Sequence, residues 1–278
     1  MKNKVFLLGV GFSSIKINEV LEFIIKGLAK DGKKYYVVTP NPEILTIASS
    51  NPSYKTVLNN AELALPDGVG VMLAAKLLGK PLEEVVHGVD LMESLCKEVS
   101  KQPITVGFLG GGPGIANKTS ECLRKKYPGL KVVFASEEWE EDNFESIPQS
   151  KNAKIRESME NGKPKKDSTA FGSSQNELSH SGKEIINHGI DILFVAFGSP
   201  KQEIWIAENL DKLPVRVAIG VGGAFDFVSG KVKRAPVWVR KIGLEWLFRL
   251  ILQPWRIKRQ LRLFKFVFLV LGEKVKAH

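Results

Sequence analysis

Short apolar runs recur along the chain at 5–9, 35–38, 62–65, 104–109, 131–134, 192–197 and 215–219. Between most of them lie stretches with helical periodicity, at 20–28, 69–78, 91–99 and 116–126. A strand that is apolar on both faces must be covered on both, and strands joined through helices run parallel. The alternation therefore predicts an α/β fold, a Rossmann-like parallel-sheet sandwich. Its ligand crevice is expected beyond the carboxyl ends of the strands. At 278 residues and 44% hydrophobic content the chain can bury a sizeable core, as one domain or as a domain with an appendage.

Two regions break the pattern. Residues 137–181 are rich in Glu, Lys, Ser and Asn with little apolar periodicity, which is long for a structureless loop in a compact domain. A mobile excursion is expected there. From Trp238 onward the sequence is aromatic, aliphatic and basic together. From Lys231 to the end, 13 Lys or Arg face two acids, Glu245 and Glu273, so this tail carries the whole net charge of +10. A basic tail on a neutral body points to an anionic partner, lipid or nucleic acid.

After Pro254, residues Ile257, Leu261, Phe264, Phe268 and Leu271 share one helical face, with Lys258, Arg259, Arg262 and Lys265 on another side. Trp238, Trp246 and Trp255 precede or join it, and Trp favours the bilayer interface. The pattern predicts a helix lying on an anionic membrane surface. A core-packing helix or a homo-oligomer contact is the alternative. No uncharged apolar run reaches the roughly 18 residues of a spanning helix. The start, Met-Lys-Asn-Lys before an apolar run, lacks a small-residue cleavage site and reads as a first strand. Cys96 and Cys122 have no metal-ligand spacing and read as core thiols of a reducing compartment. The expected location is cytoplasmic, peripheral on the inner face of the cell membrane.

The chemistry-bearing motifs follow the strands. Thr39-Pro40-Asn41-Pro42 stops the second run and either points polar groups into the crevice or has Asn41 cap the next helix. In Leu65-Pro66-Asp67-Gly68, Asp67 is either a helix N-cap or a carboxylate in the crevice able to act as a general base. The glycines of Gly110-Gly111-Gly112-Pro113-Gly114 let backbone amides approach a phosphate, or simply make a tight turn. That loop, with Glu137 after the next strand, partly imitates the dinucleotide fingerprint, so an NAD-type dehydrogenase is a rival reading. Ser199-Pro200-Lys201-Gln202-Glu203 sets Lys201 and Gln202 at the crevice, suited to phosphate and a sugar hydroxyl, or forms a capped turn. Gly220-Val221-Gly222-Gly223 again allows close backbone approach, and Lys231, Lys233 and Arg234 follow, as a diphosphate clamp or a solvated face. No Asp-x-Asp pair exists and the histidines lack ligand spacing, so neither metal nor cofactor is expected. The ordered polar strand ends favour an enzyme over a nucleic-acid binder.

Taken in order, these motifs resemble the WecG/TagA/CpsF family of glycosyltransferases. The carrying residues are Thr39-Pro40-Asn41, Leu65-Pro66-Asp67-Gly68, Gly88-Val89-Asp90-Leu91, Gly110-Gly111, Ser199-Pro200-Lys201-Gln202-Glu203, Gly220-Val221-Gly222-Gly223-Ala224-Phe225-Asp226, Lys233-Arg234-Ala235-Pro236 and Gly243-Leu244-Glu245-Trp246. The resemblance covers nearly the whole chain except 137–181. It implies transfer of N-acetylmannosamine, or a related sugar, from a UDP-sugar donor to undecaprenyl-diphosphate-linked N-acetylglucosamine. The likeness is to the TagA branch, which starts the wall teichoic acid linkage unit; transfer of the corresponding uronic acid is the alternative within the family. It implies inversion at the anomeric centre without a metal. By the family pattern Asp67 is the base, Thr39 and Asn41 line its pocket, and Gln202 contacts sugar. The chain departs from the pattern at Val85, where many members carry Arg, which leaves a cationic contact missing or supplied by His87. The implied organisation is an α/β catalytic domain over 1–233 and a C-terminal appendage over 234–278. Arg249, Arg256, Arg259 and Arg262 are the candidates to close over the site and hold diphosphate.

Overall fold

The computed structural model describes residues 4–29, 33–138 and 189–276, so the excursion expected over 137–181 lies outside the described residues except for Glu137 and Glu138. Met1–Glu137 and Ile190–His278 cluster as one compact unit and Glu138–Gly189 as another. The fold and the site belong to the first.

The chain opens with β1 (Val5–Leu7) and β2 (Val10–Phe12), paired antiparallel. The first apolar run is therefore not a strand of the parallel sheet. Leu8 and Gly9 take φ of +50° and +78°, the left-handed pair that makes a two-residue hairpin turn, so the run folds back on itself. The remaining six runs form one parallel sheet. Along the chain they are β3 (Tyr35–Val38), β4 (Leu63–Ala64), β5 (Thr105–Gly110), β6 (Lys131–Ser136), β7 (Ile190–Ala196) and β8 (Val215–Gly220). Their order in space is β4-β3-β8-β7-β5-β6. All five pairings are parallel. The α/β expectation holds.

Helices cover both faces because the strands are apolar on both. On one side Val20 and Ile24 of helix Ile17–Ala29, Leu91, Met92, Leu95 and Val99 of helix Gly88–Val99, and Leu123 of helix Ile115–Lys126 pack with Val37, Val106, Phe108, Phe194 and Val217 of the sheet. The Phe108 ring stacks on Phe194 at 5.5 Å and takes the edge of Phe225 at 5.7 Å. On the other side lie helices Pro42–Ser49, Pro52–Asn60 and Lys201–Asn209, burying Leu45, Tyr54, Leu58 and Ile206. Cys96 is buried as expected, and burial pushes its thiol far up; Cys122 is only half-buried.

After β8 the chain runs through helices Ala224–Val228, Val237–Lys241, Glu245–Leu252 and Ile257–Lys276. The last packs on helix Pro42–Ser49, with Phe266 and Val270 buried, Arg262 bonded to Glu43 at 2.6 Å, and Glu273 accepting from the Leu8 amide at 2.7 Å. The face of Ile257, Leu261, Phe264, Phe268 and Leu271 is turned outward and exposed.

Candidate active site

A parallel sheet points all its carboxyl ends the same way, so each motif that follows one of its strands arrives on one edge. In spatial order these are Asp67 after β4, Thr39 and Asn41 after β3, Gly222 and Gly223 after β8, Lys201 and Gln202 after β7, Gly110 and Gly111 closing β5, and Glu137 after β6. Hydrogen bonds join each loop to the next across the whole edge. The Asp67 amide donates to Pro40 O at 3.1 Å. Thr39 Oγ1 donates to Gly220 O at 3.3 Å. The Gly222 amide donates to Gln202 Oε1 at 3.1 Å. The Gly111 amide donates to Ala196 O at 3.0 Å. The Gly114 amide, finally, donates to a Glu137 carboxylate oxygen. The row is a braced rim, and several of the motif groups do the bracing.

The groups differ in how their polar atoms are committed. Asn41 is the N-cap of helix Pro42–Ser49, its Oδ1 accepting from the Ile44 amide at 3.0 Å, so that oxygen is committed. Thr39 is buried and its hydroxyl ties β3 to β8. Gln202 is buried; its Oε1 accepts from Gly198 and Gly222 amides at 3.2 and 3.1 Å, and its Nε2 donates to Glu203 at 2.8 Å. Asp67 differs. The N-cap of helix Val69–Leu77 is Gly68, and no side chain caps that helix. The Asp67 side chain is about a quarter exposed and Oδ1 lies 2.6 Å from His87 Nδ1. Among the described residues Oδ2 has no hydrogen-bond partner.

Around His87 the charges cluster. Asp90, on the first turn of helix Gly88–Val99, takes a two-pronged bond from Arg234 at 2.6 and 2.7 Å, and Arg234 Nε reaches Glu245 at 3.5 Å. Burial works against the charge of His87 and of Asp90. The hydrogen bond to Asp67 together with the fields of Asp67, Glu245 and Asp90 outweighs it and lifts the imidazole above its usual range, and the Arg234 bond together with the fields of Arg234, His87 and Arg240 outweighs it and holds the Asp90 carboxyl below its own. Half-buried Val85 stands two residues before His87, and the ring of His87 is taken up by Asp67.

Glu203 is fully buried, with Ser199 Oγ and Gln202 Nε2 donating to Oε1 at 2.8 Å each and Tyr54 donating to Oε2 at 2.9 Å. Burial raises its pKa against those three donors. A buried carboxylate is tolerated only when its lone pairs are met, and here meeting them ties helix Pro52–Asn60 to the β7 loop. Lys201, next along, is exposed.

Two glycines are required by close approach. Gly110 has φ of +101°, and a Cβ there would lie 2.9 Å from the Ala196 carbonyl carbon. A Cβ on Gly223 would meet Arg249 Nη1 at 2.6 Å. Arg249 therefore lies directly on the β8 glycine loop. It is held by Asp226 at 3.0 Å and by the Phe227 ring, 4.7 Å from the guanidinium carbon. Of the tail arginines, Arg249 reaches the rim and Arg262 instead bonds Glu43; the side chains of Arg256 and Arg259 lie outside the described residues. Sequence reasoning did not pick out the His87–Asp67 pair, the Asp90–Arg234 bridge or the Glu203 network, all of which join residues far apart in the chain.

A braced strand-end rim on a doubly covered parallel sheet, with a carboxylate about a quarter exposed that caps no helix, defines an α/β enzyme with its site on the loops. Comparison with known proteins gives the family. The profile of the Glycosyl transferase WecG/TagA/CpsF family matches residues 5–178 and 166–278. A relative from Bacillus spizizenii, N-acetylglucosaminyldiphosphoundecaprenol N-acetyl-beta-D-mannosaminyltransferase, is 33% identical over 86% of this chain and 79% of its own. Proteins of the same name from Bacillus subtilis and Staphylococcus aureus are 30% and 27% identical, over 86% and 92% of this chain and 79% and 87% of theirs. The chain belongs to the WecG/TagA/CpsF family and is a glycosyltransferase.

Proposed function

We propose that the enzyme moves N-acetylmannosamine from UDP-N-acetylmannosamine to N-acetylglucosaminyl-diphosphoundecaprenol, as in synthesis of the wall teichoic acid linkage unit. The acceptor and the transferred sugar follow the relatives' names. The observation that carries the chemistry is Asp67, a carboxylate that caps no helix and keeps Oδ2 open at the rim. In an inverting displacement, Oδ2 takes the proton from the acceptor hydroxyl as its oxygen bonds the anomeric carbon. The bond from that carbon to the diphosphate breaks, and its electron pair leaves on UDP. A base at this position contributes about 10²- to 10⁴-fold. The departing charge needs amides and cations, and the glycine loops, Lys201 and Arg249 offer them on the same rim. Thr39, Asn41 and Gln202 serve this site by fixing the loops that shape it.

The tail is proposed to hold the enzyme on an anionic membrane surface, on the side where the lipid-linked acceptor presents its sugar. Trp238, Trp255, Leu261, Phe264 and Phe268 are all more than half exposed, and a soluble fold rarely leaves so many large apolar groups bare without a partner. No described helix is long and apolar enough to cross a membrane.

The test is UDP release with UDP-N-acetylmannosamine and a lipid-diphosphate N-acetylglucosamine acceptor. Asp67→Asn is expected to lose about 10²- to 10⁴-fold in kcat while still binding UDP. Wild-type turnover in that variant would refute Asp67 as the base.

A further inference from the structure

The Asp67–His87 contact lies within the reacting end of the rim, yet the family pattern gives position 87 no role beyond a substitute cation. Three observations set it apart. The imidazole occupies the N-cap position of helix Gly88–Val99 and does not cap it, so the ring is free of the duty its place would suggest. Its Nδ1 lies 2.6 Å from Asp67 Oδ1, a short contact for a nitrogen and a carboxylate. The two backbones are joined as well. The Val86 amide donates to Pro66 O at 2.9 Å, so the residues just before His87 and just before Asp67 are bonded to each other. A side-chain bond laid alongside a main-chain bond allows little pivoting of the carboxylate.

We propose that His87 is a positioning residue for the base: Nδ1–H holds Asp67 Oδ1 and thereby aims Oδ2 at the acceptor hydroxyl. This rests on the reading of Asp67 as the base. A carboxylate on a single χ2 bond turns readily, and only one of its two oxygens can meet the hydroxyl at a time. Fixing Oδ1 removes the unproductive orientations before substrate arrives, the preorganisation that an orienting partner supplies to a catalytic group. The roles are divided by geometry, since the oxygen tied to the ring is not the one left open.

The ring has its own surroundings. Asp67 faces it from the β4 loop, Asp90 from its own helix and Glu245 from the C-terminal segment, while Arg234 neutralises Asp90 and reaches Glu245. Arg240 adds its field at Asp90. Carboxylates on three sides favour the protonated ring, which carries a hydrogen on both nitrogens and so donates at Nδ1. Asp67 thus meets a donor rather than a competing acceptor.

The experiment measures kcat and KM with UDP-N-acetylmannosamine and the lipid-diphosphate acceptor for the full chain and for His87→Ala, His87→Asn, His87→Gln, Asp67→Asn and the double variant H87A/D67N. His87→Ala is expected to lower kcat roughly 10- to 100-fold, the range of one charge-assisted hydrogen bond, with KM changed less than about threefold. His87→Asn, whose amide N–H falls near the place of Nδ1, should recover kcat to within about fivefold, and His87→Gln should recover less. In the Asp67→Asn background His87→Ala should cost no more than about twofold, since the group it aims is gone. If His87→Ala does not fold, the order of Asn over Gln carries the test. A kcat for His87→Ala near wild type, a loss that Asn does not restore, or full multiplication of the two losses overturns the role of His87 and leaves Asp67 as base. Wild-type kcat in Asp67→Asn instead removes the base reading, and the positioning role with it.

Discussion

The bond between His87 and Asp67 changes strength with pH, and its direction can be worked out from its causes. Burial alone pulls the imidazole pKa down; the hydrogen bond to Asp67 and the fields of Asp67, Glu245 and Asp90 more than reverse it, so the folded value lies above 6.5. A pKa raised on folding contributes stability that is complete below the unfolded value and is lost as pH rises through the folded one. His87→Ala should therefore cost more unfolding free energy at about pH 6 than at about pH 9. Urea melts of the two proteins at both pH values check this, and an equal cost would show that the ring is held by packing alone. The pair illustrates why part of the site was not legible beforehand. Asp67 stands out in sequence because Pro and Gly flank it after an apolar run. Its partner is 20 residues on, and the fold brings them together, with the Val86 amide bonded to Pro66 O. Asn41 was legible in both of its readings, since Asn-Pro before a periodic run is a helix start, and the cap is what the fold uses. The same signal at Asn51-Pro52 marks a second helix start that the apolar pattern did not bring out, its Oδ1 accepting from Tyr54 at 3.0 Å.

At the scale of elements, the rim works because neighbouring loops are held together, and one close approach of backbone to backbone is between β5 and β7. Gly110 closes β5 at φ of +101°, where its Cα faces the Ala196 carbonyl. Gly110→Ala adds a methyl 2.9 Å from that carbon in a backbone region that L-residues avoid. It should cost about 1–3 kcal/mol of stability by strain, and more of the activity than of the fold, since the displaced loop carries Gly111 and Gly112. A melting shift of several degrees together with weaker UDP binding is the expected result; an unshifted Tm would mean that the loop gives way without resistance. Elements were the level most legible in sequence. Six of the seven apolar runs became strands of the sheet, because a buried parallel strand writes itself locally as a continuous apolar run. The exception, at 5–9, was settled by Leu8 taking a positive φ, which is rare outside Gly, Asn and Asp and so has no sequence signal. Strand order was not legible, because the β3–β8 and β5–β7 pairings join residues far apart in the chain, such as Tyr35 with Val217 and Val106 with Ile192.

For the whole molecule, the question is what the C-terminal helices face. The helix Ile257–Lys276 has two apolar sides: Phe266 and Val270 are buried against the body, and Ile257, Leu261, Phe264, Phe268 and Leu271 are exposed. The pattern in sequence showed the second stripe clearly and kept core packing as the alternative without marking Phe266 and Val270 for it; that side is anchored by ion pairs such as Arg262–Glu43 and Lys80–Glu273. The packing of that helix on Pro42–Ser49 means the outward stripe is not needed to hold it in place, so the two duties can be separated by mutation. Trp255→Ser, Phe264→Ser and Phe268→Ser together alter exposed positions only and should shift Tm by no more than about 2 °C. If the stripe lies on lipid, each large apolar group contributes about 1.5–3 kcal/mol when buried, so the triple variant should leave vesicles of anionic phospholipid at concentrations that retain the wild type. Turnover should then fall on acceptor embedded in those vesicles and stay near wild type on a short-chain acceptor dispersed in solution. A homo-oligomer contact makes the opposite forecast: the variant would become smaller in solution by sedimentation, with vesicle binding unchanged. The two outcomes cannot both follow from one buried stripe, because a face occupied by a second copy is closed to the bilayer for as long as it is paired.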